Sequence, residues 1–352
     1  MELSIFQYLL LFLGSFVIAG LLTPVMRRLA FRLDIVDKPI QVHKTHREPI
    51  PYLGGVAIIL TVVIVIFLGS IFVELSYDIQ KTLLIILVPS LFIGSIGLID
   101  DIKNLSPFSR FVAQTFAGLV AAFAITSSES VGSPTGNDLL DLIISIIWIV
   151  GITNAINFFD NHDGGASGTI AISSFCLGIL CIASQQYYIG ALAFVLSGAS
   201  SGFLIWNKNP ARIYMGDAGS LFLGILISTL LLRFNPSPIN RWAGFAVPLL
   251  ILAFPILDTS VAVLSRITRG ISPFTGGQDH LSHRLVRRGS SRRSAAFKLW
   301  SGTAIFSLMA LIISFAPLKL EGPITMFSAI TWIFLFGWFF RQSHSASSPT
   351  EK

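Results

Sequence analysis

Charged side chains are scarce in this 352-residue chain: Asp, Glu, Lys and Arg together make up 12% of it. An ordinary soluble domain carries about 25%. So few charges cannot cover a water-facing surface, and a string of soluble domains is excluded. A disordered chain is excluded too. Disorder needs low hydrophobicity and high charge, whereas this composition is 53% hydrophobic with a mean hydropathy of +0.77. Cysteine is nearly absent. Cys176 and Cys181 share one apolar run, at a spacing that suits neither a metal knuckle nor a disulfide framework. No basic stretch follows Met1 and no small-residue cleavage site follows the first apolar run, so that run is expected to be an uncleaved span. Internal repeats of the kind that build inverted-repeat transporters are also missing.

What the chain does have is apolar runs. About 20 apolar residues cross roughly 30 Å of hydrocarbon. Eleven runs qualify: 4–25, 52–73, 82–99, 110–127, 139–157, 168–184, 187–206, 218–233, 243–264, 298–317 and 323–340. Lipid offers the backbone no partner outside itself, so each run is a helix. The expected fold class is all-α: a polytopic integral membrane protein of 10–11 transmembrane helices. One membrane domain spans 1–340, and a short Ser-rich, disordered cytoplasmic tail spans 341–352.

Lys and Arg set the orientation. With the N-terminus outside, the inner segments are 26–51, 100–109, 158–167, 207–217, 265–297 and the tail after 340. These segments and their helix ends hold every Lys and Arg except Lys81, Arg233, Arg241 and Lys319. The N-terminus is therefore expected outside and the C-terminus in the cytoplasm, in an inner (plasma) membrane. The net charge of +6 then describes a basic cytoplasmic face, suited to anionic headgroups and phosphorylated substrates. Nucleic acid is not an expected partner, because no soluble domain presents a groove. All six histidines fall on that same face.

Five segments there carry chemistry. Asp100 and Asp101 close the third run. Adjacent carboxylates at a membrane edge repel, and read either as a solvated helix end or as a site for a divalent cation or for proton abstraction. Asn154, Asn157 and Asp160 recur at i, i+3 and i+6, on one helix face, and Asp163 continues the series if the helix lasts. Two amides and two acids in register exceed what capping needs, so they are expected to line a polar cavity. Asp217, flanked by Gly216 and Gly219, reads equally as a helix N-cap or as a ligand to phosphate or hydrated metal. His280 and His283 stand at i, i+3, with Arg284 four after His280; zinc is discounted for lack of cysteine and HExxH, and a phosphate suits the set better. In the first inner loop, His43 and Lys44 precede a Pro49-to-Gly55 stretch that fixes a loop path, and either meet a phosphate or belong to an ordinary basic loop. Asp258, inside the ninth run, reads as a functional acid or as a helix–helix hydrogen bond, and is left outside the catalytic set.

Taken together, Asp37 to His43, Pro51 to Gly55, Leu98 to Asp101, the Asn154-to-Gly164 stripe, Asn207 to Asp217 and His280 to Leu285 resemble the polyprenyl-phosphate N-acetylhexosamine-1-phosphate transferases. The likeness spans residues 25–290 and favours the undecaprenyl-phosphate GlcNAc-1-phosphate branch. It implies transfer of a sugar 1-phosphate from a UDP-N-acetylhexosamine, with GlcNAc favoured, to undecaprenyl phosphate, releasing UMP. Mg²⁺ is the implied cofactor, with Mn²⁺ left open. By this likeness Asp217 and Asp100 ligate the metal, Asp100 or Asp101 receives or orients the lipid phosphate's proton, and His280 and His283 lie near the diphosphate. Lys44, Asn154, Asn157, Asp160, Asp163, Asn207 and Arg284 are the implied nucleotide-sugar residues. Ser282 and Arg284 interrupt the family's fuller histidine motif, and Asn161 replaces a glycine. The phospho-MurNAc-pentapeptide transferases, which carry a histidine triplet, remain the alternative branch. A transporter of a phosphorylated solute is the rival from another class, and a homodimer is left open.

Overall fold

The structure is a computed structural model that describes residues 3–37, 49–127, 135–235, 241–273 and 277–342, without the side chains of 241–243. His43, Lys44 and the tail from Ser343 lie outside the described residues. The chain divides into two compact units, Met1–Asn235 and Pro236–Lys352.

In the first unit the order is α1 (Ile5–Arg32), β1 (Val36–Asp37), β2 (Ile50–Pro51), α2 (Gly54–Phe72), α3 (Tyr77–Lys103), α4 (Pro107–Thr126), α5 (Asp138–Phe159), α6 (Gly165–Ala183), α7 (Tyr187–Asn207) and α8 (Gly216–Arg233). The second holds α9 (Arg241–Ile251), α10 (Ala253–Thr268), α11 (Leu281–Arg287), α12 (Arg292–Phe315) and α13 (Leu318–Arg341). Among the described residues ten helices are long and apolar enough to span a bilayer, and a bent pair supplies an eleventh. The protein is an all-α polytopic membrane protein, as the hydropathy runs imply.

The ninth run is broken rather than continuous. Its two pieces, Gly244–Ile251 and Ala253–Thr268, meet at 72°. Helix α13 starts five residues before the eleventh run, with Pro323 tolerated near its N-terminus. The third helix starts at Tyr77 and runs on through Asp100 and Asp101, so both acids are inside it rather than beyond its end.

Burial sorts the helices of the first unit. Nearly every residue of α8 is buried, from Gly216 to Leu231. Around it Ile93 of α3, Ala117, Ala121 and Ala122 of α4 and Ile149 of α5 close on Leu221 and Ile225. Helices α1 and α4 instead present large apolar side chains outward, among them Phe6, Leu13, Phe116 and Phe123. That polarity is normal where lipid is the solvent. Helices α1 and α7 cross closely because Gly198 and Gly202 lie one turn apart. A Cβ at either would sit 2.2 Å from a backbone oxygen of α1, Phe12 or Phe16.

The two-residue strands form one antiparallel ladder, Val36 with Pro51 and Asp37 with Ile50. Tyr214 N–H donates to the Pro51 carbonyl at 2.9 Å, and Gly54 N–H to the Tyr214 carbonyl at 3.0 Å. The Pro51-to-Gly55 stretch is thereby sewn to the loop that leads into α8.

Candidate active site

The end of α3 meets the start of α8. At this crossing the backbones touch: a Cβ on Gly97 would lie 2.4 Å from the Asp217 carbonyl. Gly216 adopts φ +71, and a Cβ there would meet the Asp101 carboxylate at 2.5 Å. Only glycine permits both the turn and the approach.

That approach lets Asp101 cap a helix from another part of the chain. Its two oxygens accept from Asp217 N–H at 2.8 Å and Ala218 N–H at 3.0 Å, in the first turn of α8. These N–H groups have no partner within their own helix, and the positive end of its dipole favours a carboxylate. The helix begins at Gly216, so Asp217 is not itself the N-cap. Its side chain is turned to the acids of α3.

Asp100 and Asp217 share one cationic nitrogen. Arg110 Nη1 donates to Asp100 Oδ2 at 2.9 Å and to Asp217 Oδ2 at 2.7 Å. Asp100 is 5% exposed and also accepts from Leu105 N–H; Asp217 is 23% exposed. Asn157 Nδ2 donates to Asp217 Oδ1 at 2.7 Å and reaches Ser220 Oγ at 2.9 Å. Sequence reasoning named Asp100, Asp217 and Asn157 but missed Arg110. A signal existed: Arg110 stands in the first turns of α4, where the helix dipole disfavours a cation.

The stripe Asn154–Asn157–Asp160–Asp163 is only partly a stripe. Helix α5 ends at Phe159, Asp160 is its C-cap, and Asp163 lies beyond a turn. Asp160 faces the acids: desolvation raises its carboxyl well above the usual range, and Asp217, Asp101 and Asp163 push it the same way. Asp163 instead accepts from Asn209 Nδ2 at 2.7 Å and Ala211 N–H at 3.1 Å, and so holds the loop before α8. Asn154 donates to the Val150 carbonyl of its own helix. Asn207 is 1% exposed; its Oδ1 accepts from Gly164 N–H and Ser167 Oγ, and its Nδ2 donates to the Ile213 carbonyl. Tyr52, beside the loop, has its hydroxyl pKa raised by burial and by Asp37 and Asp101.

His280, His283 and Arg284 belong to the second unit. His280 is the N-cap of α11, and its ring stands edge-on to His283 with centroids 6.3 Å apart. Arg284 is buried; its Nε donates to the Asp279 carbonyl and its Nη1 to the Phe339 carbonyl at 3.0 Å, near the end of α13. Burial, then Arg287 nearby, lowers its pKa to about 10. Asp279 is pulled below the usual range: burial opposes this, but Arg266 and Arg269 outweigh it.

Among the described residues no three His, Cys, Asp or Glu side chains gather as a metal cage. The Asp100–Asp217 pair fits a less demanding ion. Mg²⁺ takes one or two carboxylates and fills its remaining positions with water and substrate phosphate. Two carboxylates already held on one cationic group are that kind of donor set.

A polytopic helical protein whose acids converge at the meeting of two helix ends has the makings of a membrane-embedded phosphoryl-transfer enzyme. Comparison with known proteins narrows the class. The pattern of glycosyl transferase family 4 matches residues 83–235. The "Probable undecaprenyl-phosphate N-acetylglucosaminyl 1-phosphate transferase" of Bacillus subtilis is 30% identical, over 88% of this chain and 86% of its own length. The decaprenyl-phosphate N-acetylglucosaminephosphotransferase of Mycobacterium tuberculosis H37Rv is 30% identical over 84% and 80%. The phospho-N-acetylmuramoyl-pentapeptide-transferase of Staphylococcus aureus Newman is 31% identical over 66% and 77%. The chain belongs to glycosyl transferase family 4 and is a phosphoglycosyl transferase.

Proposed function

We propose that this enzyme transfers N-acetylglucosamine 1-phosphate from UDP-GlcNAc to undecaprenyl phosphate at the cytoplasmic face of the inner membrane, as a first membrane step of a cell-surface glycan. A lipid phosphate oxygen attacks the sugar-bearing phosphorus of the donor. The bond from that phosphorus to the bridging oxygen breaks, and UMP leaves with the electron pair. The observation that carries this reading is the convergence of Asp100 and Asp217, from helices far apart in sequence, on one cationic centre.

Both substrates are anions, so their approach must be offset by positive charge. Asp217 and Asp100 would hold Mg²⁺, which would supply that charge. Arg110 keeps the two carboxylates together and brings a further positive group to the centre. Asn157 orients Asp217 through its Oδ1. Asp101, by capping α8, fixes the backbone on which Asp217 stands. A phosphate monoester has its second pKa near 6, so the acceptor needs orientation more than a strong base.

The relatives' printed names support the sugar and the polyprenyl acceptor. Purified enzyme in detergent with UDP-GlcNAc, undecaprenyl phosphate and Mg²⁺ should release UMP in step with lipid-linked GlcNAc-phosphate. Release only with UDP-MurNAc-pentapeptide would move the protein to the alternative branch, and no release with any UDP-N-acetylhexosamine would refute the proposal.

A further inference from the structure

In the second unit a buried acid that the proposed reaction does not use is tied to the first histidine of the 280–285 motif. Asp258 of α10 is 1% exposed. Its Oδ2 lies 2.7 Å from His280 Nδ1, and its Oδ1 accepts from Leu281 N–H, the first residue of α11, at 2.6 Å. On the other side of the ring, Arg266 Nη2 lies 3.3 Å from His280 Nε2. Arg266 is 3% exposed and anchored by Asp279 Oδ2 at 3.0 Å and the Pro273 carbonyl at 2.8 Å.

These contacts specify where the imidazole proton is. A guanidinium only donates hydrogen bonds. Nε2 facing it must therefore accept, and Nδ1 must carry the proton that Asp258 receives as a hydrogen bond. A ring protonated on both nitrogens would set N–H against N–H at Arg266. The opposite tautomer would do the same, and would set a lone pair against the Asp258 carboxylate. His280 is thus gripped at both nitrogens and is 6% exposed. Neither of its nitrogens has an N–H to aim at a phosphate. Arg284, one turn on, spends its guanidinium on two backbone carbonyls. His283 is half-buried and stands against the His280 ring.

We propose that Asp258 is a positioning residue that holds His280 as the neutral, Nδ1-protonated imidazole. The tautomer stands apart from the reaction proposed above; the expected loss of turnover rests on it. His280 then works as a wedge. Locked by Asp258 and Arg266, it gives His283 a fixed surface to lean on, while Asp258 sets the start of α11 by accepting from Leu281 N–H.

The test uses the full-length enzyme in detergent with ¹⁵N-labelled histidine. At pH 8 a long-range ¹H–¹⁵N spectrum should contain one ring in the neutral Nδ1–H form that disappears in His280→Asn. Finding His280 as the Nε2–H form, or doubly protonated, would overturn the assignment without any variant of Asp258. In Asp258→Asn the new amide donates to Nδ1 and drives the proton to Nε2, against Arg266. That ring should change form, and kcat should fall roughly tenfold or more with KM unchanged, by the logic of a mis-set tautomer. A wild-type spectrum and wild-type kcat in Asp258→Asn would overturn the positioning role. Should that variant fail to fold, Asp258→Glu replaces it: partial recovery of both the Nδ1–H signal and kcat supports the role, and full activity without the signal opposes it. If no UDP-sugar yields UMP at all, the reaction is wrong, and the spectra still decide the tautomer.

Discussion

The two units use the same ingredients, Asp beside Arg, to opposite ends. In the first, Asp100, Asp217 and Arg110 meet where two helix ends converge, with Arg110 31% and Asp217 23% exposed. In the second, Asp258, His280 and Arg266 are each nearly closed off from solvent. A partly open ion pair is weak and can exchange one cation for another. The closed cluster is costly to break, because Asp258 or Arg266 left alone would be a buried charge. Openness, more than residue type, separates the proposed binding centre from a brace that fixes geometry.

Three experiments press on that contrast, beginning with the largest effect. Asp217→Asn keeps the shape and the Asn157 contact region but removes the charge. Its kcat should drop by about a thousandfold or more, in the range seen when a transition-state electrostatic contact is lost, with normal expression and thermal midpoint. Turnover near the wild-type rate would take Asp217 out of the centre.

Next comes Arg110→Met. It leaves Asp100 and Asp217 facing each other without the shared guanidinium. Because Arg110 is partly exposed, the expected loss of stability is modest, about 1 kcal/mol. Millimolar Mg²⁺ should restore the thermal midpoint of this variant by more than it raises that of the wild type. Equal Mg²⁺ shifts in the two proteins would mean that the ion does not replace the guanidinium.

The smallest effect concerns pH. Desolvation raises Asp160 above its unfolded value of 3.8, so the folded state holds its proton longer than the unfolded state does. Stability from this group is complete below 3.8 and declines as pH rises through the folded value. Asp160→Asn mimics the protonated form. Its advantage in thermal midpoint over wild type should therefore grow from pH 5 to pH 8. An advantage that shrank over that range would reverse the assignment.

The sequence reading reached Asp100, Asp101, Asp217 and Asn157 because acids and amides at the ends of apolar runs are conspicuous. Arg110 escaped it because an arginine at an inner helix end looks like ordinary positive-inside anchoring until its partner, 107 positions away, is seen. Asp163 and Asn207 look like ligands in the chain, and in the fold each also meets backbone groups that only folding brings near. Asp258 was visible as an intramembrane acid, and its helix–helix alternative proved close: the bond runs from α10 to the first turn of α11.

Hydropathy and helical period act over neighbouring residues, so the chain alone determined that this is a helical membrane protein, where its spans fall and which polar segments interrupt them. Which of those polar groups would share a proton or a cation was decided only in three dimensions. A hydrogen bond is made within about 3 Å, and the close crossing of α3 with α8 at Gly97, like the bend between α9 and α10, is a property of packed surfaces rather than of any local stretch.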